Sequence, residues 1–154
     1  MKRIYGIFSM VMLCLMLSVG FGNAADLGLS ALGTYDYSVK NAGVRVQASV
    51  ENLGIYIIPI VNVTSVSDSY TRYGVGFDLP IYKTGIFGFY GTLTGNYQES
   101  NIGTSGFGVA YGGKVVVDVY KSIALTAGYE RFSGGSDIKA FNGNNLNAGL
   151  LVRF

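Results

Sequence analysis

Apolar and polar residues alternate strictly along short stretches of this chain, and that alternation limits the folds open to it. Residues 44–51 read VRVQASVE, so four apolar positions alternate with four polar or charged ones without a miss. Side chains of a β-strand point alternately to opposite faces of the sheet. The stretch therefore predicts a strand with one apolar and one polar face. Residues 146–154 repeat the pattern and finish on Phe154, a ring that needs apolar surroundings.

The same alternation predicts eight strands along the chain. Their predicted bounds are 26–37, 44–51, 55–65, 72–79, 85–96, 107–119, 123–130 and 146–154. Short turns alternate with longer polar loops, and no segment after residue 25 approaches the roughly 18 unbroken apolar residues of a spanning helix. In a membrane such a chain must form a closed sheet, because lipid satisfies no backbone hydrogen bonds. The pattern predicts an all-β fold, an eight-stranded antiparallel up-and-down transmembrane β-barrel with both ends on the short-turn side.

Residues 1–24 have the features of a cleaved signal peptide. A basic pair, Lys2 and Arg3, precedes an apolar run and then small residues at the expected cleavage site. The mature barrel domain is expected to span 25–154. Loss of the leader leaves nine basic and nine acidic residues, a balance that argues for no nucleic-acid partner. The one cysteine, Cys14, leaves with the leader, so the mature domain has no disulfide.

Charged residues in the predicted strands stand opposite the apolar positions. They are Arg45, Glu51, Arg72, Asp78, Lys114, Asp118, Glu130 and Arg153. A charge facing lipid at the middle of a bilayer costs about 2–4 kcal/mol, so we expect these residues to point into the lumen. An eight-stranded barrel has room inside for little but side chains, so the ions must pair with each other.

One ion pair follows from the predicted hairpin of the sixth and seventh strands. If the hairpin is centred on Ser122, Lys114 lies directly across from Glu130, whereas a slip of two residues makes the contact diagonal. Such a lumen is either a polar plug that fills the core or an ion path with a gate. The narrow interior of eight strands favours the plug.

Aromatic residues cluster toward the predicted strand ends, where a ring can lie between lipid and water. They are Tyr35, Tyr37, Tyr70, Tyr73, Tyr82, Phe87, Phe107, Tyr120, Tyr129 and Phe154. Ordinary aromatic packing in a soluble sandwich or a lipocalin-like barrel is the alternative interpretation, and it stays open at this point.

The composition gives almost no support to catalysis. The chain contains no His, and no Cys follows residue 24, so a Ser-His pair, a His metal ligand and a catalytic thiol are all excluded. The strand carboxylates alternate with glycine or small polar residues, with no cleft-forming segment beside them. We therefore expect no enzyme, no catalytic residue, no cofactor and no metal site.

The eight-strand pattern over residues 25–154, with the closing sequence LLVRF at 150–154, resembles the small outer-membrane barrels of the OmpA-like, OmpX-like and opacity-protein group. The resemblance implies a monomeric integral protein of a Gram-negative outer membrane, in contact with lipid, with a structural or surface-interaction role. Leu150, Val152 and Phe154 look like the closing-strand signal that the barrel assembly machinery reads during insertion. A narrow porin-like channel for ions or small solutes and a soluble periplasmic lipocalin-like carrier are the alternative functions.

Overall fold

Eight antiparallel strands close into one barrel in the computed structural model, which describes residues 26–52 and 56–154. The strands are β1 (Asp26–Asp36), β2 (Asn41–Glu51), β3 (Ile58–Val66), β4 (Tyr70–Thr84), β5 (Phe87–Ser100), β6 (Ser105–Tyr120), β7 (Ile123–Gly134) and β8 (Gly143–Arg153). Each strand pairs with the next, and β8 pairs back with β1. The predicted fold class is confirmed. The predicted signal peptide lies outside the described residues.

The connections define two different ends of the barrel. The turn end carries the two-residue turns 85–86 and 121–122 and the β2–β3 connection, together with the start of β1 and the end of β8. The loop end carries the connections 37–40, 67–69, 101–104 and 135–142, the last of which includes the 3-10 helix Ser136–Phe141. Among the described residues, no helix is long and apolar enough to cross a membrane.

The register of β6 against β7 differs from the expectation drawn from the sequence. Lys114 pairs with Gly128 instead of Glu130, so the predicted cross-strand pair is wrong and the two charged residues lie diagonally. The register shifts between Asp118 and Tyr120, just before the turn. A bulge adds one residue to one strand of a pair, and it changes which residues face each other without disturbing the alternation farther along.

Three glycines on the inner face mark close approaches between neighbouring strands. A Cβ atom built on Gly76, Gly112 or Gly149 would lie 2.0 Å from a carbonyl oxygen of the adjacent strand. No side chain fits at that distance, and the missing side chains let a narrow barrel bend. Gly95 is different, because a Cβ there would meet nothing closer than 3.9 Å.

Candidate functional site in the barrel interior

The barrel wall is arranged in the opposite way from that of a soluble protein, with its apolar face outward and its ionic residues inward. Val46 and Leu150 are 53% and 50% exposed on the outside, whereas Arg45 and Glu130 are 3% and 5% exposed on the inside. Apolar side chains point outward on all eight strands, and polar side chains fill the middle of the interior. The candidate site is therefore the interior, where ionisable groups lie out of contact with solvent.

A bidentate ion pair crosses the middle of the lumen. Arg45 on β2 donates from Nη1 and Nη2 to the two carboxylate oxygens of Glu130 on β7, at 2.6 and 2.7 Å. The Nε atom of Arg45 donates to the hydroxyl of Thr64 on β3 at 2.9 Å. Since β1 and β8 separate the two strands in the wall, the pair ties together opposite parts of the barrel. Paired, planar contacts of this kind are the strongest form of the arginine–carboxylate interaction.

A second ion pair lies beside the first. Lys114 on β6 donates to Asp78 on β4, and the hydroxyl of Thr92 donates to the same carboxylate at 2.6 Å. A cavity of about 20 Å³ is lined by both residues of the first pair and by Lys114 of the second. The side chain of Asn147 also lines the cavity, and its Oδ1 atom has no hydrogen-bond partner. A volume of this size is close to the space that one water molecule occupies.

Arg72 is buried without a direct ion pair. Its side chain is fully enclosed, and its guanidinium lies 3.6 Å from the ring centroid of Phe132 and 4.6 Å from that of Tyr70. Its Nε and Nη2 atoms donate to Oε1 of Gln98 at 2.9 and 2.8 Å. Among the described residues, no carboxylate forms an ion pair with it. The guanidinium is instead held by a π-stacked position and an amide, which suits its planar, weakly hydrated charge.

The side chain of Asn145 links Arg72 to Asp36, a residue that the predicted lumen set lacked. Tyr70 donates its hydroxyl to Asp36. With its amide nitrogen toward the carboxylate, Asn145 donates to Asp36 at 2.9 Å and accepts from Nη1 of Arg72 at 3.2 Å. Asp36 occupies an inward-facing position of β1. The alternation of inward and outward positions along that strand could therefore have identified it from the sequence.

Tyr70 does not lie at the outer surface, where its aromatic character had placed it. It is 1% exposed and packs at the loop end of the lumen. The reason is its position in β4, because Tyr70 is two residues from Arg72 and therefore shares its inward face. Tyr82, Tyr120 and Phe154 are exposed by 63%, 70% and 71%, as expected for outward-facing rings.

Apolar clusters close the interior above and below the charged middle. At the loop end the cluster consists of Val66, Tyr70, Ala110, Phe132, Ile138 and Phe141, so the 3-10 helix contributes two side chains to it. At the turn end the cluster consists of Tyr90, Val116, Ala124 and Leu151. Below the second cluster, Arg153 contacts Glu51 at 3.1 Å and Asp118 at 2.5 Å. Seven of the eight charged residues assigned to the lumen thus form ion pairs, and Arg72 is the exception.

The predicted closing-strand residues lie on the outer face of β8. Leu150 and Phe154 are 50% and 71% exposed, and Val152 is partly exposed. Val152 pairs with Leu29 of β1 and with Ile123 of β7, so the end of this strand is held on both sides. Leu150, Val152 and Phe154 therefore form an apolar strip on the outer surface, where β8 pairs with β1 and closes the barrel.

Comparison with known proteins identifies the fold alone. No known protein-family profile matches the chain, and a search of curated proteins finds no similar sequence. A chain from a de novo design of transmembrane β-barrels matches with a TM-score of 0.60 at 13% identity, covering 86% of this chain and 98% of the designed one. The designed protein TMB2.3 matches with a TM-score of 0.53 at 18% identity, covering 85% and 94%. The Yersinia pestis outer membrane protein Ail, studied in a phospholipid bilayer nanodisc, matches with a TM-score of 0.58 at 12% identity, covering 86% and 100%.

Proposed function

We propose that this protein is an integral β-barrel of a Gram-negative outer membrane, with a closed interior and a structural or surface-interaction role without catalysis. One observation carries the proposal: apolar side chains face outward on every strand while Arg45, Arg72, Asp78 and Glu130 are buried inside. Water would favour the reverse arrangement, and a bilayer favours this one. The fold shared with a protein studied in a lipid bilayer supports the same environment.

The proposed role of the lumen residues is to fill the interior of the barrel and to link strands that are not neighbours in the sheet. Ion pairs tie β2 to β7, β4 to β6, and β8 to both β2 and β6, which are contacts across the interior that the strand ladder does not provide. Apolar clusters at both ends of the interior shield the central pair of Arg45 and Glu130 from water. Leu150, Val152 and Phe154 keep their proposed role as the strip that the barrel assembly machinery recognises.

A substitution on the outer face tests the membrane proposal directly. Val46→Arg adds a charge to a side chain that is 53% exposed, whereas Ile102→Arg adds the same charge at a loop position that is 81% exposed. In a bilayer we expect the first change to cost about 2–4 kcal/mol of folding free energy and the second about zero. For a soluble carrier both positions face water, so equal and small effects would contradict membrane insertion. Carbonate extraction of membranes is an independent test, because it releases a soluble carrier and leaves an integral barrel in the membrane.

A narrow channel is the second candidate function, and the 20 Å³ cavity beside Arg45, Glu130 and Lys114 is the observation in its favour. Planar-bilayer recording of the refolded protein separates the two proposals. A closed interior predicts no unitary conductance. Reproducible single-channel openings would refute the closed lumen while leaving membrane insertion intact.

A further inference from the structure

Exposed charges are distributed unequally between the two ends of the barrel. Every exposed carboxylate among the described residues lies at the loop end, namely Asp68, Glu99 and Asp137. The exposed charges of the turn end are Lys83 and Lys121, and neither forms an ion pair within the described residues. Both exposed charges of the turn end are therefore positive, whereas exposed charges of both signs lie at the loop end.

The other ionic groups at the turn end are less exposed than these lysines and form no ion pair with them. Glu51 and Asp118 are both engaged by Arg153. Asp26 in β1 accepts a hydrogen bond from the side chain of Asn52. The two ammonium groups are consequently left for a partner from outside the chain.

The two lysines occupy similar but not identical positions near the ends of their hairpins. Lys83 is paired with Gly88 in β4, and Lys121 lies in the two-residue turn between β6 and β7. Each follows an exposed tyrosine directly, and each hairpin has a register shift just before that tyrosine. Tyr82 is 63% exposed and Tyr120 is 70% exposed. Tyrosine rings settle at the boundary between hydrocarbon and water, and lysine extends its ammonium from that level toward the headgroups.

We propose that the turn end of the barrel binds anionic phospholipid headgroups through the hairpin tips Tyr82–Lys83 and Tyr120–Lys121. The argument from charge complementarity rests on the proposed membrane function. Each ammonium meets a headgroup phosphate, while the adjacent ring and neighbouring apolar side chains such as Ile86 contact the upper part of the acyl chains. The loop end, where exposed charges of both signs are mixed, has no such preference.

The test measures lipid selectivity on the refolded full chain in phosphatidylcholine vesicles containing a minor fraction of phosphatidylglycerol. Electron paramagnetic resonance of spin-labelled lipids gives the ratio of the association constants for the two headgroups. We expect the protein to favour phosphatidylglycerol by roughly two- to fivefold at low salt, because a juxtamembrane lysine attracts anionic lipid, and to lose the preference in about 1 M salt.

The variant Lys83→Gln/Lys121→Gln should bring the ratio close to one. The matched control Lys40→Gln/Lys139→Gln removes two exposed charges from the loop end and should leave the preference intact. The single variants Lys83→Gln and Lys121→Gln should each lose part of it, which guards against a folding defect in the double variant. A ratio of one for the unaltered protein, or an equal loss in the control, overturns the proposal. Failure of the protein to insert into pure phosphatidylcholine refutes the proposed membrane function itself, so the two failures are distinguishable.

Discussion

Replacing Glu130 by Leu should be among the most damaging single changes in the barrel, because it leaves the charge of Arg45 buried without a counter-ion. Arg45 is 3% exposed and makes two contacts of 2.6 and 2.7 Å to Glu130, so water cannot take over the lost interactions. Removing one partner of a buried pair costs about 3–5 kcal/mol. The bond to Thr64 remains but satisfies one N–H only. We expect a loss of about 3–4 kcal/mol in the free energy of unfolding.

The reverse change, Arg45→Met, should cost less, about 2–3 kcal/mol. Glu130 then still faces Lys114 across the 20 Å³ cavity, and the flexible lysine can turn toward it. The double variant Arg45→Met/Glu130→Leu leaves no unpaired charge, so it should be much more stable than the sum of the single losses predicts.

Urea titrations of the refolded proteins in detergent micelles, followed by circular dichroism and by gel mobility of unboiled samples, give the four free energies. The interpretation of Arg45 and Glu130 as a buried ion pair fails if Glu130→Leu changes the free energy of unfolding by less than about 1 kcal/mol. It also fails if the two single losses add to within about 0.5 kcal/mol in the double variant, since independent sites behave in that way.

Two further changes test the packing of the interior. Tyr70→Phe removes the hydroxyl that donates to Asp36 and leaves a buried carboxylate short of one hydrogen bond. We expect the free energy of unfolding to fall by about 1–3 kcal/mol. The control Tyr82→Phe, on the outer face, should cause no measurable change in the same urea titration. Gly112→Ala would put a Cβ 2.0 Å from a backbone oxygen and should cost about 1–3 kcal/mol or prevent folding, while Gly95→Ala, with 3.9 Å available, should fold normally. Equal behaviour of the two glycine variants would contradict the close strand approach described for the inner face.

Strand bounds show where sequence reasoning succeeded and where it stopped. The strongly alternating second strand was expected at 44–51 and spans Asn41–Glu51. The fourth strand was expected at 72–79 and spans Tyr70–Thr84, since backbone pairing with β5 continues through residues whose side chains no longer alternate clearly. Hydrogen bonds between strands do not depend on the side chain, so a segment whose side chains predict a turn can still extend a strand.

Apolar residues also occupy inward positions of the strands. Val116 of β6 lies where the alternation predicts a polar side chain, yet it is 3% exposed and packs inside against Tyr90, Ala124 and Leu151. An inward position is therefore not always polar. Below the ion pairs, the lumen narrows to an apolar layer that the alternation of a single strand does not reveal.

By itself the sequence determined the kind of wall: how many strands there are, which face of each carries the ions, and that such strands, if they cross a membrane, must close on one another. These properties are local, because the direction of a side chain depends only on its position along its own strand. Only the tertiary structure decided which ions meet. Arg45 and Glu130 are 85 residues apart in the chain, and Lys114 contacts Asp78 instead of Glu130. Contacts across a lumen depend on the register of every strand in between, and a single bulge near a turn is enough to exchange one partner for another.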